Sequence, residues 1–346
     1  MTPPVRIGVV GLGFMGQVHV KSISAARAAG LECVLAAVAD HSPDRLNGQA
    51  SVSGNLDAGE RPQRLFDPAE TQTFQDPAAM FSSAGLDAVV IATPTDTHEA
   101  LTASALRSGL HVLLEKPVAI GVQEVSRLIE HERATRRHVM PAMCIRFWPG
   151  WTYLKECIDT GRFGGLHALR LTRLGSRPEW SAFYADESRS GGAIFDLHIH
   201  DSDFVLHSIG RPRRVLSVGT TTHLTTLYGF DDYRAVIAEG GWLASAGRGF
   251  RMRFCAEFDT ATVEFDLANS PTVAVTSGGS TSHPLLPHAS AYEAEMQSFL
   301  NCVAAWKAGS TNPPPATLAD ALAVTRLLLA ERKSLTSGEW EPVNPA

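Results

Sequence analysis

A continuous apolar run, Val5 to Val10, ends without a spacer at Gly11-Leu12-Gly13-Phe14-Met15-Gly16. A helical segment to about Ala29 follows, then a second apolar run, Val34 to Ala39, closed by Asp40. Strand, glycine loop, helix, strand and acid in this order specify a dinucleotide-binding unit. Gly11 supplies the tight turn, Gly13 lets the backbone approach a pyrophosphate, and Gly16 allows close helix-strand packing. Phe14 and Met15 lie between them at the helix N-terminus that faces the phosphates. Asp40 follows Gly16 by 24 positions, near the offset of about 20 expected for the acid that meets the adenosine ribose. Its carboxylate favours the diol of NAD over a 2′-phosphate, although His41, Arg45 or Arg61 could compensate that charge and admit NADP.

More strands of the same kind follow. Residues 41 to 70 are rich in glycine and proline and read as an extended loop. Asp76-Pro77 is an N-cap with proline at the first helical position. Ala88 to Ala92 leads into Thr93-Pro94-Thr95-Asp96-Thr97-His98, a turn able to lie along a cofactor, with Thr97 as helix cap and His98 either a ligand-facing group or an ordinary first-turn residue. The run His111 to Leu114 then stops at Glu115-Lys116-Pro117. In open α/β sheets ligands bind beyond the carboxyl ends of the strands, so Lys116 is a candidate working group beside the alternative of a surface ion pair. The Lys116-Pro117 bond is expected to be cis. A helix near Val122 to Thr135 and a strand from His138 to Cys144 complete an alternation that specifies a doubly wound parallel sheet.

The regime changes at Arg146-Phe147-Trp148-Pro149. After a helix closing at Gly161, strand-like runs dominate: His167 to Leu174, Val215 to Thr222, Val236 to Trp242, Arg251 to Phe258 and Thr262 to Phe265. In Arg251 to Phe258 apolar residues alternate with polar ones, as in a sheet with one buried face. One helix-like insert, Ser190 to Asp203, carries Asp196 and His200 four apart, with Asp203 on the same side, so that a carboxylate can orient an imidazole acting as general base. A metal site built from His198, His200 and Asp201 is disfavoured, because His198 points away from His200 on a helix. A helix from about Tyr292 to Trp306, the connector Asn312 to Pro315 and a helix from about Leu318 to Lys333 close the chain.

At 346 residues the chain divides into a dinucleotide-binding domain, 1–145, and a substrate and oligomerisation domain, 146–346. The fold class is α/β: an N-terminal Rossmann doubly wound parallel sheet plus a C-terminal α/β domain with a large open, mostly antiparallel sheet. A formal charge of -6 offers no field for nucleic acid or anionic lipid. No apolar run approaches the roughly 20 residues that cross a bilayer, and no export signal is visible. The five cysteines are odd in number and far apart, which suits reduced packing residues in the cytoplasm.

Taken together, the glycine loop with Asp40, Glu115-Lys116-Pro117, and Gly191-Gly192 through Asp196 to His200 make the chain resemble the Gfo/Idh/MocA oxidoreductases over nearly its whole length. The resemblance implies that Lys116 hydrogen-bonds the reacting hydroxyl, Asp196 orients, His200 accepts the proton, and Thr93 and Pro94 lie along the nicotinamide side; His98 and Glu115 are further candidates on the cofactor side, Glu115 as a group that positions Lys116 or the cofactor. It implies oxidation of a secondary alcohol on a sugar or cyclitol with NAD (NADP possible) and a homodimer or homotetramer through the C-terminal sheet; no metal is expected from the residues. Arg146, Trp148 and Trp180 are candidate substrate contacts. His198 departs from the small residue usual in such relatives and would add a second imidazole near the site. Two alternatives stand beside this: an NADP-dependent sugar oxidoreductase with tightly bound cofactor, and a non-catalytic NAD-binding sensor.

Overall fold

Strands whose side chains are apolar on both faces can be satisfied only between two layers of helix, and the N-terminal half supplies them. A computed structural model of the chain describes residues 3–50, 64–178, 182–232, 234–245, 248–287 and 290–344. The first elements are β1 (Val5–Val10), α1 (Phe14–Ala28), β2 (Cys33–Ala39), β3 (Gln72–Phe74), α2 (Pro77–Ser83), β4 (Ala88–Ile91), α3 (His98–Arg107), β5 (His111–Leu114), α4 (Val122–Thr135) and β6 (Val139–Pro141). Among the described residues six strands pair, all in parallel, in the order β3-β2-β1-β4-β5-β6. β4 and β5 are buried along their whole length. The order reverses between β1 and β4, the switch point at which such sheets bind ligands. Asp76 caps α2 by accepting from Ala78 N at 3.0 Å, with Pro77 at the first helical position. The expected strand to Cys144 stops at Pro141 and passes into a 3₁₀ turn, Cys144–Phe147.

The second set comprises α5 (Pro149–Thr160), β7 (Leu166–Ser176), α6 (Glu187–Ser190), α7 (Ile199–Ser208), β8 (Arg214–Thr220), β9 (His223–Gly229), β10 (Ala235–Leu243), β11 (Arg251–Phe258), β12 (Ala261–Asp266), β13 (Val273–Ser277) and β14 (Ser280–Ser282). The chain ends with α8 (Ala291–Lys307), α9 (Leu318–Ser337) and β15 (Glu341–Pro342). Among the described residues nine strands form one sheet in the order β14-β13-β12-β11-β7-β10-β9-β8-β15. Every pairing is antiparallel except β7 with β10. Met252, Phe254, Ala256 and Phe258 of β11 are buried, so the alternation read from the sequence marks the covered face. Trp151 of α5 anchors that face, with ring centroids 4.9 Å from Phe254, 4.6 Å from Phe265 and 6.3 Å from Phe204.

The chain divides into two compact units, 1–143 with 290–321, and 144–289 with 322–346. The segment 290–321 therefore belongs with the first unit, although it lies inside the 146–346 domain drawn from sequence. The physical reason is α8, which packs on α1 and β1. It also stacks Trp306 on His111 and His138 at 4.6 and 4.4 Å, and places Lys307 Nζ 2.7 Å from Asp87.

Candidate functional site

In the first unit the glycine loop follows β1 without a spacer. Gly11 has φ +85°, and a Cβ there would meet Ala92 O at 2.7 Å and Thr93 Cγ2 at 2.9 Å. The loops after β1 and β4 thus touch at the switch point. A Cβ on Gly16 would come within 1.8 Å of Gly11 O, so only glycine lets α1 start this close to the strand. Around Gly13 nothing lies within 4 Å of such a Cβ. Among the described residues no side chain caps α1, and its first turn holds no acid, while Phe14 and Met15 are half-buried. An uncapped helix start with open space before it suits an anion.

Asp40 is buried, and its carboxylate ties this loop down. Oδ2 accepts from Leu12 N at 2.7 Å and lies 3.3 Å from Arg45 Nη1, while Oδ1 accepts from Ser42 N at 2.9 Å. The group assigned by spacing to the ribose is engaged first with the glycine loop itself. Of the side chains able to compensate its charge, Arg45 does so directly, His41 Nδ1 stands 3.4 Å from Oδ1 with its ring largely exposed, and Arg61 lies outside the described residues.

Thr93 and Pro94 follow β4, and there Thr97 departs from its expected role. Its side chain does not cap α3, because Oγ1 donates to Pro94 O at 2.7 Å and meets Thr93 Oγ1 at 2.7 Å. His98 is buried, with Nε2 2.9 Å from Thr93 O and Nδ1 2.9 Å from Pro117 O. Burial holds its pKa below the usual imidazole range despite those two carbonyls. It links the loops after β4 and β5 through both ring nitrogens.

Lys116 is half-buried at the carboxyl end of β5, and the Lys116-Pro117 bond is cis, as expected. Glu115 beneath it is buried and receives His19 Nε2 at 2.7 Å and Lys116 N at 3.1 Å. Burial opposes its charge, yet His19 and Lys116 outweigh that and leave its carboxyl below the usual range. A second acid, Glu295 of α8, is also buried, and among the described residues neither of its oxygens has a protein hydrogen-bond partner. Burial, reinforced by the charge of Glu115, pushes its carboxyl well above the usual range. His19 and Glu295 were not read from the sequence, where the only trace is a histidine three residues after Gly16.

In the second unit Asp196 lies in a π-turn, Ile194–His198, and His200 in the first turn of α7. The widened turn replaces the α-helical spacing assumed for this pair, and such turns are frequent at functional sites. Asp196 Oδ2 accepts from Trp242 Nε1 at 3.1 Å. Asp203 turns to Arg146, which it binds through both oxygens at 2.9 and 2.7 Å. The Arg146 side chain is thus engaged first with Asp203, 5% exposed in this pair. Asp201 is likewise held by Arg173, at 3.0 and 2.8 Å. His198 is fully buried, with Nε2 2.9 Å from Glu331 Oε2 and 3.3 Å from Tyr228 OH. It is therefore a core group and adds no second accessible imidazole. With Asp201 and His198 engaged in this way, the metal reading loses two of its three ligands. Among the described residues no group of three or more His, Cys, Asp or Glu could hold a metal ion. Trp148 is half-buried at the N-cap of α5, and Trp180 lies outside the described residues.

Two family models match this chain. Residues 5–143 match the model described as "Oxidoreductase family, NAD-binding Rossmann fold", and residues 151–277 match the "GFO/IDH/MocA C-terminal domain". The chain belongs to the Gfo/Idh/MocA family. Its first unit is the NAD-binding Rossmann domain of that family. Among curated relatives, a myo-inositol 2-dehydrogenase of Thermotoga maritima is 28% identical over 59% of this chain and 55% of its own length. Inositol 2-dehydrogenase 3 of Saccharopolyspora erythraea is 27% identical over 98% of this chain and 95% of its own length. The matches to three other inositol 2-dehydrogenase relatives, that of Thermotoga maritima included, span only about half of those proteins, 43% to 55%. The fold is that of scyllo-inositol dehydrogenase from Lactobacillus casei, solved with bound NAD(H) and scyllo-inositol. The TM-score is 0.75 at 20% identity, over 98% of this chain and 99% of that one. A levoglucosan dehydrogenase solved with NADH and levoglucosan gives 0.82 at 17% identity, over 99% and 100%.

Proposed function

We propose that this family member oxidises a secondary hydroxyl of a sugar, sugar derivative or cyclitol, with NAD as hydride acceptor. The observation that carries the reading lies in the first unit: buried β5 delivers Lys116 to the same sheet edge at which the uncapped glycine loop follows β1. The inositol dehydrogenase relatives support a cyclitol, and the levoglucosan dehydrogenase supports a sugar derivative.

NAD supplies the hydride acceptor. Gly11, Gly13 and Gly16, with Phe14 and Met15 at the start of α1, hold its pyrophosphate, Asp40 fixes their loop and faces the ribose, and Thr93 and Pro94 border the nicotinamide. Lys116 polarises the hydroxyl and stabilises the developing alkoxide, Glu115 positions Lys116, His200 accepts the hydroxyl proton, and Asp196 orients the groups around it. The Arg45 contact to Asp40 supports NADP as a second acceptor. Assembly as a homodimer or homotetramer through the nine-stranded sheet, and action in the cytoplasm, belong to the same proposal; among the described residues no helix is long and apolar enough to cross a membrane.

The test is a screen of polyols, aldoses, sugar acids and nucleotide sugars with NAD and NADP, read by absorbance of the reduced cofactor. With the best substrate, Lys116→Ala and His200→Ala each lower kcat by about 10²- to 10⁴-fold while NAD binding persists. Near-normal turnover in both variants overturns the mechanism, and NAD binding without turnover on any substrate favours a sensor.

A further inference from the structure

Trp242 is the side chain that meets Asp196 from across the second unit, 46 residues away in sequence. It lies next to the end of β10, almost fully buried, and its backbone N–H donates to Thr222 O at 2.8 Å. It pairs with Gly175 of β7. The indole packs against Ala193 and Leu197, which flank Asp196 along the π-turn, and Tyr184 and Phe250 lie against the same cluster. The Tyr184 ring meets it edge-on at 6.2 Å, and the Arg177 guanidinium stands over it at 5.6 Å. One rigid ring therefore supports the π-turn from below and directs its only donor at the carboxyl group of that turn.

We infer that Trp242 is a positioning residue for the reaction: its indole N–H fixes the Asp196 carboxyl in the orientation the chemistry uses. The inference rests on the role given to Asp196 above. A sheet residue is well suited to this task, because its main chain is held by β7 on one side and by Thr222, just before β9, on the other. The carboxyl then keeps its direction although the π-turn that carries it lacks the regular α-helical hydrogen bonds.

The experiment compares Trp242→Phe, which keeps an aromatic ring in the cluster and deletes the donor, with Trp242→Leu and Asp196→Ala in the full chain. Loss of a hydrogen bond to a carboxyl group predicts a kcat about ten-fold lower for Trp242→Phe. Its NAD dissociation constant, read by fluorescence of the reduced cofactor, and its KM for NAD stay unchanged, as does its thermal midpoint. Trp242→Leu loses stability as well. In an Asp196→Ala background, Trp242→Phe causes less than about a two-fold further loss, as expected when two residues act through one contact. Wild-type kcat in Trp242→Phe, or an equal loss in both backgrounds, overturns the role of Trp242 while leaving Asp196 in place. Wild-type kcat in Asp196→Ala overturns the reading of Asp196 and the role of Trp242 with it.

Discussion

Glu295 and His111 place opposite demands on protons within the first unit. Burial beside Glu115 raises the Glu295 carboxyl, so the folded chain holds this proton more tightly than the unfolded one. Stability from that source is complete below the unfolded carboxyl pKa and falls as pH rises through the folded value. Glu295→Gln keeps the shape without the charge, and its urea midpoint should exceed that of the parent by a margin that grows from pH 5 to pH 8. For His111, burial and then Arg137 push the pKa down to about 4. Its Nδ1 accepts from His138 N at 3.1 Å, which requires that nitrogen to be unprotonated. Here the unfolded chain binds the extra proton, so the contribution is present above about pH 6.5 and lost as pH falls toward 4, amounting to about 3 kcal/mol across that window. His111→Asn should flatten the slope of unfolding free energy against pH between 4 and 6.5, measured by urea denaturation.

At the level of elements, α7 is held by two bidentate arginine pairs, Arg146 with Asp203 and Arg173 with Asp201. Removing one partner of such a buried pair strands a charge. Arg146→Met is therefore expected to cost about 3 to 5 kcal/mol in chemical denaturation. At the other end of the chemistry, Gly16→Ala drives a Cβ into Gly11 O, and calorimetric titration should show loss of NAD binding. The Rossmann half was legible in the sequence because apolar strands, the glycine spacing and proline-marked helix starts are local signals. The sheet of the second unit was legible wherever apolar and polar residues alternate, as in β11, but β9 was not read, because its alternating burial covers Thr226 and leaves Leu227 half-buried. The candidate lysine, aspartate and histidine were found from local motifs. The buried groups around them, His19, Glu295, Trp242 and Glu331, were not, because each meets its surroundings through packing across tens of residues. The π-turn escaped as well, since one added residue in a turn leaves the apolar pattern almost intact while rotating Asp196 and Asp203 to different partners.

On the scale of the whole molecule, α8 is the element whose place the order of the chain conceals. It comes after the last strands of the large sheet in sequence, yet it packs on α1 and β1 of the first unit. A ligand held at the start of α1 should therefore steady α8 also. In hydrogen exchange with NAD added, new protection is expected in Val5–Ala28 and again in Ala291–Lys307. Protection confined to the first of these would mean that α8 is energetically independent of the helix beneath it.

The chain passes between the two units at 143/144, 289/290 and 321/322. Exchange of the second unit between relatives is thus a three-junction operation. A chimera joined only near residue 144 would import a foreign α8 along with its new sheet, and the donor's α8 would have to fit the recipient's α1 and β1. The residues of α8 that face α1 are accordingly part of the nucleotide domain's inheritance, whatever position they occupy in the chain.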